Sequence, residues 1–194
     1  WAPGEAVWLP VRELGNDALR AALAPILTDT GKEIVAHDGK TDINVLFRNG
    51  YPTWRLAGDP MLMSYLLDAD AESHGLMNTA RRFLGHHMIE PADVVGSGKG
   101  AISFDRVDVE KAAVFAGEAA DCTLRVHDVL LPRIEKDGLM PLYKDLELPL
   151  EDLLGRMERE GIRIDIGQLK GLSDAFVGEI AAIEEKAHAA AGKP

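Results

Sequence analysis

A carboxylate at a helix start is the side chain of this sequence that most clearly could do chemistry. Asp42 is predicted in the first turn of a helix that runs from about Thr41 to Asn49 and is closed by Gly50. Its hard oxygen atoms suit a divalent cation. An acid in a first helical turn is also favoured by the helix dipole alone, by about 0.3–1 kcal/mol, with no metal. Both interpretations stay open from the residue alone.

Three other features resemble sites but are better explained as ordinary structure. His74, His86 and His87 are close in sequence, but adjacent histidines at a helix end diverge, so capping or solvent-exposed roles are favoured. Lys99 in GSGKG lacks the Gly-x-x-x-x-Gly-Lys-Ser/Thr spacing of a phosphate-binding loop, so a plain loop is predicted. Cys122 is the single cysteine and is predicted to be a buried, unreactive thiol.

Composition limits the function classes. The chain has 194 residues, of which 46% are hydrophobic, and a net charge of −11. No apolar run approaches the roughly 20 residues that span a bilayer, and no basic-then-apolar leader begins the chain, so we expect a cytoplasmic protein without a membrane partner. The negative charge argues against a broad basic surface for nucleic acid. A metal-dependent nuclease, whose cleft needs carboxylates, remains compatible.

Strands and helices are predicted to alternate in the first part of the chain, which indicates an α/β fold. The predicted strands cover 6–11, 33–37 and 53–57, and the predicted helices cover 16–27, 41–49 and the segment after Asp59-Pro60. The remainder is predicted to be helical, apart from the glycine-rich loop at 96–100.

Two amphipathic helices end the sequence. The first carries an apolar stripe from Leu146 to Met157 and stops at Gly161, and the second is capped by Asp165 and carries a stripe over 169–187. We predict that both stripes are packing faces. Since little chain follows the second stripe, we expect its partner to lie in sequence beyond this chain.

Four segments resemble, in family order, the bacterial DNA polymerase I family (family A DNA polymerases). HDGKTDINVLFRNG at 37–50 is similar to the second motif of its 3'-5' exonuclease domain, and GDPMLMSYLLDAD at 58–70 to the segment that follows. Residues 96–127 resemble the loop and helix of the third motif. LPLEDLLGRMEREGIRID at 148–165 is similar to the start of the polymerase domain.

The resemblance implies a ribonuclease H-like fold. We therefore expect an α/β exonuclease-like domain over 1–140, with a mixed sheet flanked by helices and its first strand or strands before Trp1. An all-helical segment over 141–194 would begin the polymerase domain, at the base of its thumb. The remainder of the polymerase chain would pack on helices 144–161 and 166–190.

The family's nuclease reaction implies two divalent metals, Mg²⁺ or Mn²⁺, held by four carboxylates, with a tyrosine that orients the attacking water. The second-motif aspartate matches Asp42. The third motif, Tyr-x-x-x-Asp, is replaced by Phe115 and Ala119, so the hydroxyl and the carboxylate are absent. On the same helix Asp121 lies roughly 200° and Glu118 roughly 100° from residue 119, so neither is expected to replace the lost carboxylate.

The chain departs from the family pattern at two further positions. The Asp-x-Glu of the first motif would precede Trp1, and the phenylalanine that wedges the terminal base falls at Pro91. We expect Asp42 to be a remnant that holds no metal, and the fragment to bind no cofactor. Contacts to DNA phosphates are predicted, weakly, at Arg81, Arg82 and Lys99, with DNA reached mainly through the parent polymerase.

Three functions are compatible with these residues. The favoured hypothesis is a catalytically degenerate exonuclease-like module that supports the polymerase or positions its DNA. The alternative is an active two-metal proofreading exonuclease with a rearranged metal set that uses Asp42 and acids upstream of Trp1, with Asp121 as a further candidate ligand. The third, a stand-alone nuclease resembling ribonuclease D, is disfavoured because it would not need the helices of 141–194.

Overall fold

The computed structural model describes residues 4–10 and 15–192. Its two described strands are β1 (Ile34–Val35) and β2 (Leu56–Gly58). Its helices, in chain order, are α1 (Asn16–Leu27), α2 (Gly39–Arg48), α3 (Pro60–Leu67), α4 (Leu76–Leu84), α5 (Pro91–Val95), α6 (Val109–Lys136), α7 (Met140–Leu142), α8 (Leu148–Glu160) and α9 (Ile166–Ala191). Two 3-10 turns, Gly98–Gly100 and Phe104–Arg106, lie between α5 and α6.

The sheet is small and parallel. β1 pairs with β2, with Ile34 opposite Leu56, and α2 forms the crossover between them. This β-α-β unit confirms the predicted α/β class, in a chain that is otherwise mostly helical. The strand predicted over 6–11 is wrong for residues 6–10, which form no strand. No described strand lies beside them to supply the ladder hydrogen bonds that a strand requires, and Val11 falls outside the described residues.

Local capping signals predicted several helix ends correctly. Asp59 caps α3, since its Oδ1 accepts a 2.7 Å bond from the backbone N–H of Met61. Asp165 caps α9 through a 3.0 Å bond from the N–H of Gln168. Gly161 follows α8 with a φ of 73°, the left-handed conformation in which a glycine ends a helix at little steric cost.

The main hydrophobic core lies where α3, α4 and α6 pack together. Cys122 is 1% exposed there, which confirms its predicted burial, and the low polarity around it raises the pKa of its thiol. The buried residues of this cluster are Met63, Ala80, Cys122, Val126, Leu130, Ile134 and Tyr143. A second cluster joins the sheet to α2 through Ala36, Ile43, Trp54 and Leu56.

The segment between α7 and α8 connects these two clusters. Residues Tyr143–Glu147 form a π-helical turn, and Leu148, at the start of α8, packs against both clusters. Pro149 lacks an N–H, so it removes one bond from the helical ladder just after this turn. Tyr143 is fully buried, and its hydroxyl accepts a 2.6 Å bond from the backbone N–H of Asp59.

The chain divides into two compact units, Trp1–Arg159 and Glu160–Pro194. Residues 141–159 therefore pack within the first unit, whereas the predicted functional division after residue 140 stays a prediction. The described side chains of α9, in the second unit, are all exposed. None of the described helices combines the length and the apolar character needed to cross a membrane.

Candidate functional site

The start of α2 is held by close backbone packing and by acids from distant parts of the chain. Gly39 is buried against β2, where an added Cβ would lie 2.4 Å from Leu56 Cδ1, so a larger residue would require the Leu56 side chain to move. The N–H of Gly39 donates to Asp59 Oδ2 at 2.9 Å, and the N–H of Lys40 donates to Glu151 Oε1 at 2.7 Å. These bonds fix the first turn of the helix on which Asp42 lies.

Asp42 lies at the edge of an open apolar cleft of about 400 Å³. The residue as a whole is exposed, but its carboxyl group borders the hydrophobic lining and loses hydration there. That loss, together with the nearby carboxylates of Asp38 and Asp59, raises the pKa of Asp42 to about 6. The other lining residues are Leu27, Ile34, Val35, Ala36, Val45, Leu46 and Trp54. The acids that act on Asp42 thus come from the α2 and α3 starts, and none comes from α6.

Phe115 and Ala119 lie one turn apart on α6, in an aromatic and aliphatic setting. The Phe115 ring centroid is 5.9 Å from that of Phe104, which in turn lies 6.4 Å from Trp8. Ala119 is half-buried and offers only its backbone carbonyl, which accepts a 2.8 Å bond from Thr123 Oγ1. Neither position offers a side-chain oxygen to a metal or a water.

The two acids closest to Ala119 on α6 are already bound to other groups. Glu118 Oε1 lies 2.8 Å from His86 Nε2, and Glu118 Oε2 accepts a 2.7 Å bond from the N–H of Ile89. Asp121 accepts from the N–H of Gly4 at 2.5 Å and pairs with Arg125 at 3.1 Å. The bond from Gly4, and then the pairing with Arg125, hold the pKa of Asp121 below its usual range.

These side chains do not fit a two-metal centre. Two dications at close range need several carboxylates around them. Near Asp42 the described residues supply Asp38 and the fully buried Asp59, whose oxygens already accept from backbone N–H groups. Glu118 and Asp121 are committed to other partners. Within 4–10 and 15–192, no group of three or more His, Cys, Asp or Glu side chains is arranged to hold a metal ion.

The three cations predicted to contact DNA phosphates differ in their bonding partners. Arg82 pairs with Asp68 at 2.6 Å, and Arg81 donates to Asn78 Oδ1 at 3.2 Å. Lys99 is exposed in the turn Gly98–Gly100. Arg81 and Lys99 are thus the predicted cations without an ion pair among the described contacts, and all three contacts stay predictions.

The three histidines considered in the sequence have different surroundings. His74 Nδ1 lies 3.0 Å from Ser64 Oγ, whereas His86 pairs with Glu118. His87 is exposed. Pro91 occupies the first turn of α5, a position that suits its fixed φ and missing N–H.

Sequence reasoning missed the buried polar group formed by Asp59, Tyr143 and Glu151. Asp59 and Tyr143 are fully buried, and Glu151 is 6% exposed. The sequence around Asp59-Pro60 indicates only a helix start, and Glu151 lies in a helix where nothing in the local pattern distinguishes it from its acidic neighbour Asp152. A buried acid of this kind is defined by what lies against it, and that information is not local.

Known proteins match this chain over most of its length. A family described as 3'-5' exonuclease matches residues 1–135. DNA polymerase I of Pseudomonas aeruginosa is 36% identical over 202 residues, covering 98% of this chain and 22% of the relative. DNA polymerase I of Rhizobium leguminosarum is 41% identical over 178 residues, covering 92% and 17%. The chain thus spans about a fifth of the length of these curated relatives.

A solved structure shares the fold. The POL domain of Pol1 from M. smegmatis, in complex with DNA primer-template and dNTP, superposes with a TM-score of 0.67 at 24% identity. The match covers 91% of this chain and 27% of that chain.

Proposed function

Because the chain belongs to the 3'-5' exonuclease family of DNA polymerase I, we propose that it is the exonuclease-like part of a DNA-directed DNA polymerase and that its nuclease site is degenerate. In this role the module supports the polymerase and positions its DNA without cutting it. The polymerase activity belongs to the parent protein, of which this chain is about a fifth by comparison with its relatives.

The third-motif helix carries this proposal. Phe115 lies among aromatic rings and Ala119 has no polar side-chain atom, while Glu118 and Asp121 are engaged elsewhere. Loss of one ligand from such a site costs on the order of several kcal/mol of transition-state stabilisation, and each about 1.36 kcal/mol is tenfold in rate. The loss of a ligand and of the water-orienting hydroxyl together leaves little nuclease activity.

The test is nuclease activity of the complete polymerase on single-stranded DNA with Mg²⁺ or Mn²⁺. We expect little activity in the unmodified protein and a gain in the double variant Phe115→Tyr with Ala119→Asp. The matched control is Phe115→Tyr with Ala120→Asp, because Ala120 is exposed on the same helix and turned by about 100° from residue 119. Strong activity in the unmodified protein that Asp42→Ala abolishes would overturn the proposal.

One observation favours the alternative of an active exonuclease with a rearranged metal set. Asp38 and Asp59 lie close enough to Asp42 to raise its pKa, so acids do gather at the start of α2. Under this alternative, Asp38→Ala and Asp42→Ala both reduce cleavage by the unmodified protein, and Phe115→Tyr with Ala119→Asp changes it little. The same assay therefore separates the two functions.

The remaining assignments follow from the same proposal. The exonuclease-like part is residues 1–140 and the start of the polymerase domain is 141–194, in a cytoplasmic protein. Divalent metal serves the parent polymerase, and DNA contacts by Arg81, Arg82 and Lys99 add little affinity to a chain with a net charge of −11.

Two exposed apolar stripes are evidence for the proposal that the remainder of the polymerase chain packs on helices 144–161 and 166–190. Their members are 38–64% exposed, namely Leu146, Leu150, Leu153, Leu154 and Met157 on or just before α8, and Leu169, Leu172, Phe176, Ile180 and Ile183 on α9. Contiguous apolar stripes of this kind are typical of surfaces that another part of a protein covers.

A further inference from the structure

The first turn of α2 has unusual caps. The first N–H groups of a helix need acceptors outside the helix, and a neighbouring side chain commonly supplies one. Asp38 occupies the N-cap position but has a φ of 59°, and its carboxylate accepts from the Thr41 hydroxyl at 2.8 Å and from no backbone N–H. The N–H groups of Gly39 and Lys40 are instead bound by Asp59 and by Glu151, which is 111 residues away from Lys40.

The side chain of Glu151 is buried where it binds the Lys40 amide. It is 6% exposed and its Oε1 accepts from the Lys40 N–H, while its Oε2 is buried with no hydrogen-bond donor among the described residues. Burial, and then the nearby Asp59 carboxylate, raise the pKa of Glu151 to about 8. A protonated Glu151 carboxyl can share a hydrogen bond with the Asp59 carboxylate, which favours the protonated form.

The polar face of α8 continues the contact along α2. Lys40 Nζ lies 2.5 Å from Glu158 Oε1, and Asn44 donates to Glu158 Oε2 at 3.0 Å. Arg159 donates to Asn44 Oδ1 at 2.6 Å. Glu151, Gly155, Glu158 and Arg159 are spaced so that they share one helical face.

We propose that Glu151 is a positioning residue: from α8 it caps α2 and thereby holds the helix that carries Asp42 and the cleft beside it. The inference goes beyond the proposed function, because Asp42 lies on α2 whether or not the nuclease site is degenerate. It makes α8 an element that fixes the start of the second-motif helix through the Glu151–Lys40 backbone bond, in addition to the side-chain bonds of Glu158 and Arg159 and the apolar packing of Leu148.

The test is residue-specific hydrogen exchange, measured by NMR on the 194-residue protein. In Glu151→Ala, we expect the Lys40 amide to exchange roughly fivefold faster or more, the factor expected when one cap hydrogen bond is lost. Glu151→Gln should restore protection, because its carbonyl oxygen accepts from Lys40 and its NH₂ group donates to Asp59. The matched control is Asp152→Ala, since Asp152 is exposed on the same helix and its ion pair among the described contacts is with Arg156.

Each outcome decides the proposal. An unchanged Lys40 amide in Glu151→Ala overturns it, and so does equal acceleration of the Cys122 and Val126 amides, which would mean general destabilisation. If Glu151→Ala does not fold, Glu151→Gln decides: a folded Gln variant with an unprotected Lys40 amide overturns the proposal, and a protected one supports it. Nuclease activity is not a readout here, so failure of this proposal is distinguishable from failure of the proposed function.

Discussion

At the scale of single residues, the candidate site depends on two predicted substitutions and one buried acid. The resemblance to the third motif predicts that Phe115 and Ala119 stand where the family has oxygen-bearing side chains, and the sequence alone gives this prediction. The sequence does not predict the importance of Glu151, because it arises from burial against Lys40 and Asp59. The burial of Glu151 also predicts how the stability of the folded protein depends on pH.

Stability should fall as pH rises because of Glu151. Its folded pKa of about 8 lies above the ordinary value of 4.5, so the folded protein keeps a proton that the unfolded chain releases. This contribution is fully present below pH 4.5 and is lost as pH rises through about 8. The titratable groups that interact with Glu151 include Asp38, Lys40, Asp59 and Tyr143.

Urea unfolding across that pH range is the measurement. Glu151→Gln should flatten the decline and should be more stable than the unmodified protein at the alkaline end, because the amide cannot ionise. Asp152→Gln is the control and should keep the original slope, since Asp152 is about half exposed. An identical slope in the Glu151→Gln protein would contradict the assignment.

At the scale of elements, α8 packs on α2 with its polar face and leaves its apolar stripe exposed. The amphipathic pattern predicted the helix and its stop at Gly161, and it predicted that the stripe is a packing face. The structure adds a second packing face, centred on Gly155, where the helix lies against Lys40 and Asn44. A small residue there allows the close approach.

Enlarging Gly155 should therefore push α8 away from α2. A Cβ at this position would already lie 3.3 Å from Lys40 Cγ and 3.5 Å from Asn44 Oδ1. Gly155→Leu should lower the free energy of unfolding by about 1–3 kcal/mol, the usual cost of overpacking. The control is Gly171→Leu in α9, because nothing lies within 4 Å of a Cβ there.

Chemical denaturation of the two variants gives the comparison. Gly171→Leu should be neutral or slightly stabilising, because glycine is a poor helix former. Equal losses in both variants would show that the helical context, and not the contact with α2, sets the cost.

At the scale of the whole molecule, the described contacts divide the chain after Arg159, whereas family resemblance divides it by function after residue 140. The segment between these points holds fully buried Tyr143 and nearly buried Glu151, and both contact Asp59 or its neighbours. Residues that the resemblance assigns to the start of a polymerase domain thus complete the core of the first compact unit.

Two truncations test this division. A chain ending at Arg159 should unfold at nearly the same temperature as the full chain, because Arg159 ends the first compact unit. A chain ending at Met140 should be strongly destabilised, since loss of a buried aromatic residue alone costs roughly 3–5 kcal/mol. Differential scanning calorimetry measures both, and similar stability of the two truncated chains would contradict the prediction.

The sequence by itself identified the family, predicted a substituted third motif and indicated several helix ends. These features are local: a capping acid such as Asp165, a stop at Gly161, or a missing hydroxyl at Phe115 is written in consecutive residues. The alternation of strand and helix patterns is also linear in the sequence, so the α/β class followed from it.

Only the tertiary structure decided which polar groups are buried and what they hold. Glu151 and Asp152 are adjacent acids in one helix, yet one caps α2 from a buried position and the other is exposed. The difference is set by the surface that each meets after folding, across more than a hundred residues of chain. Desolvation and long-range hydrogen bonding depend on that packing. Only the contact between α8 and α2 therefore identifies Glu151 as a candidate positioning residue.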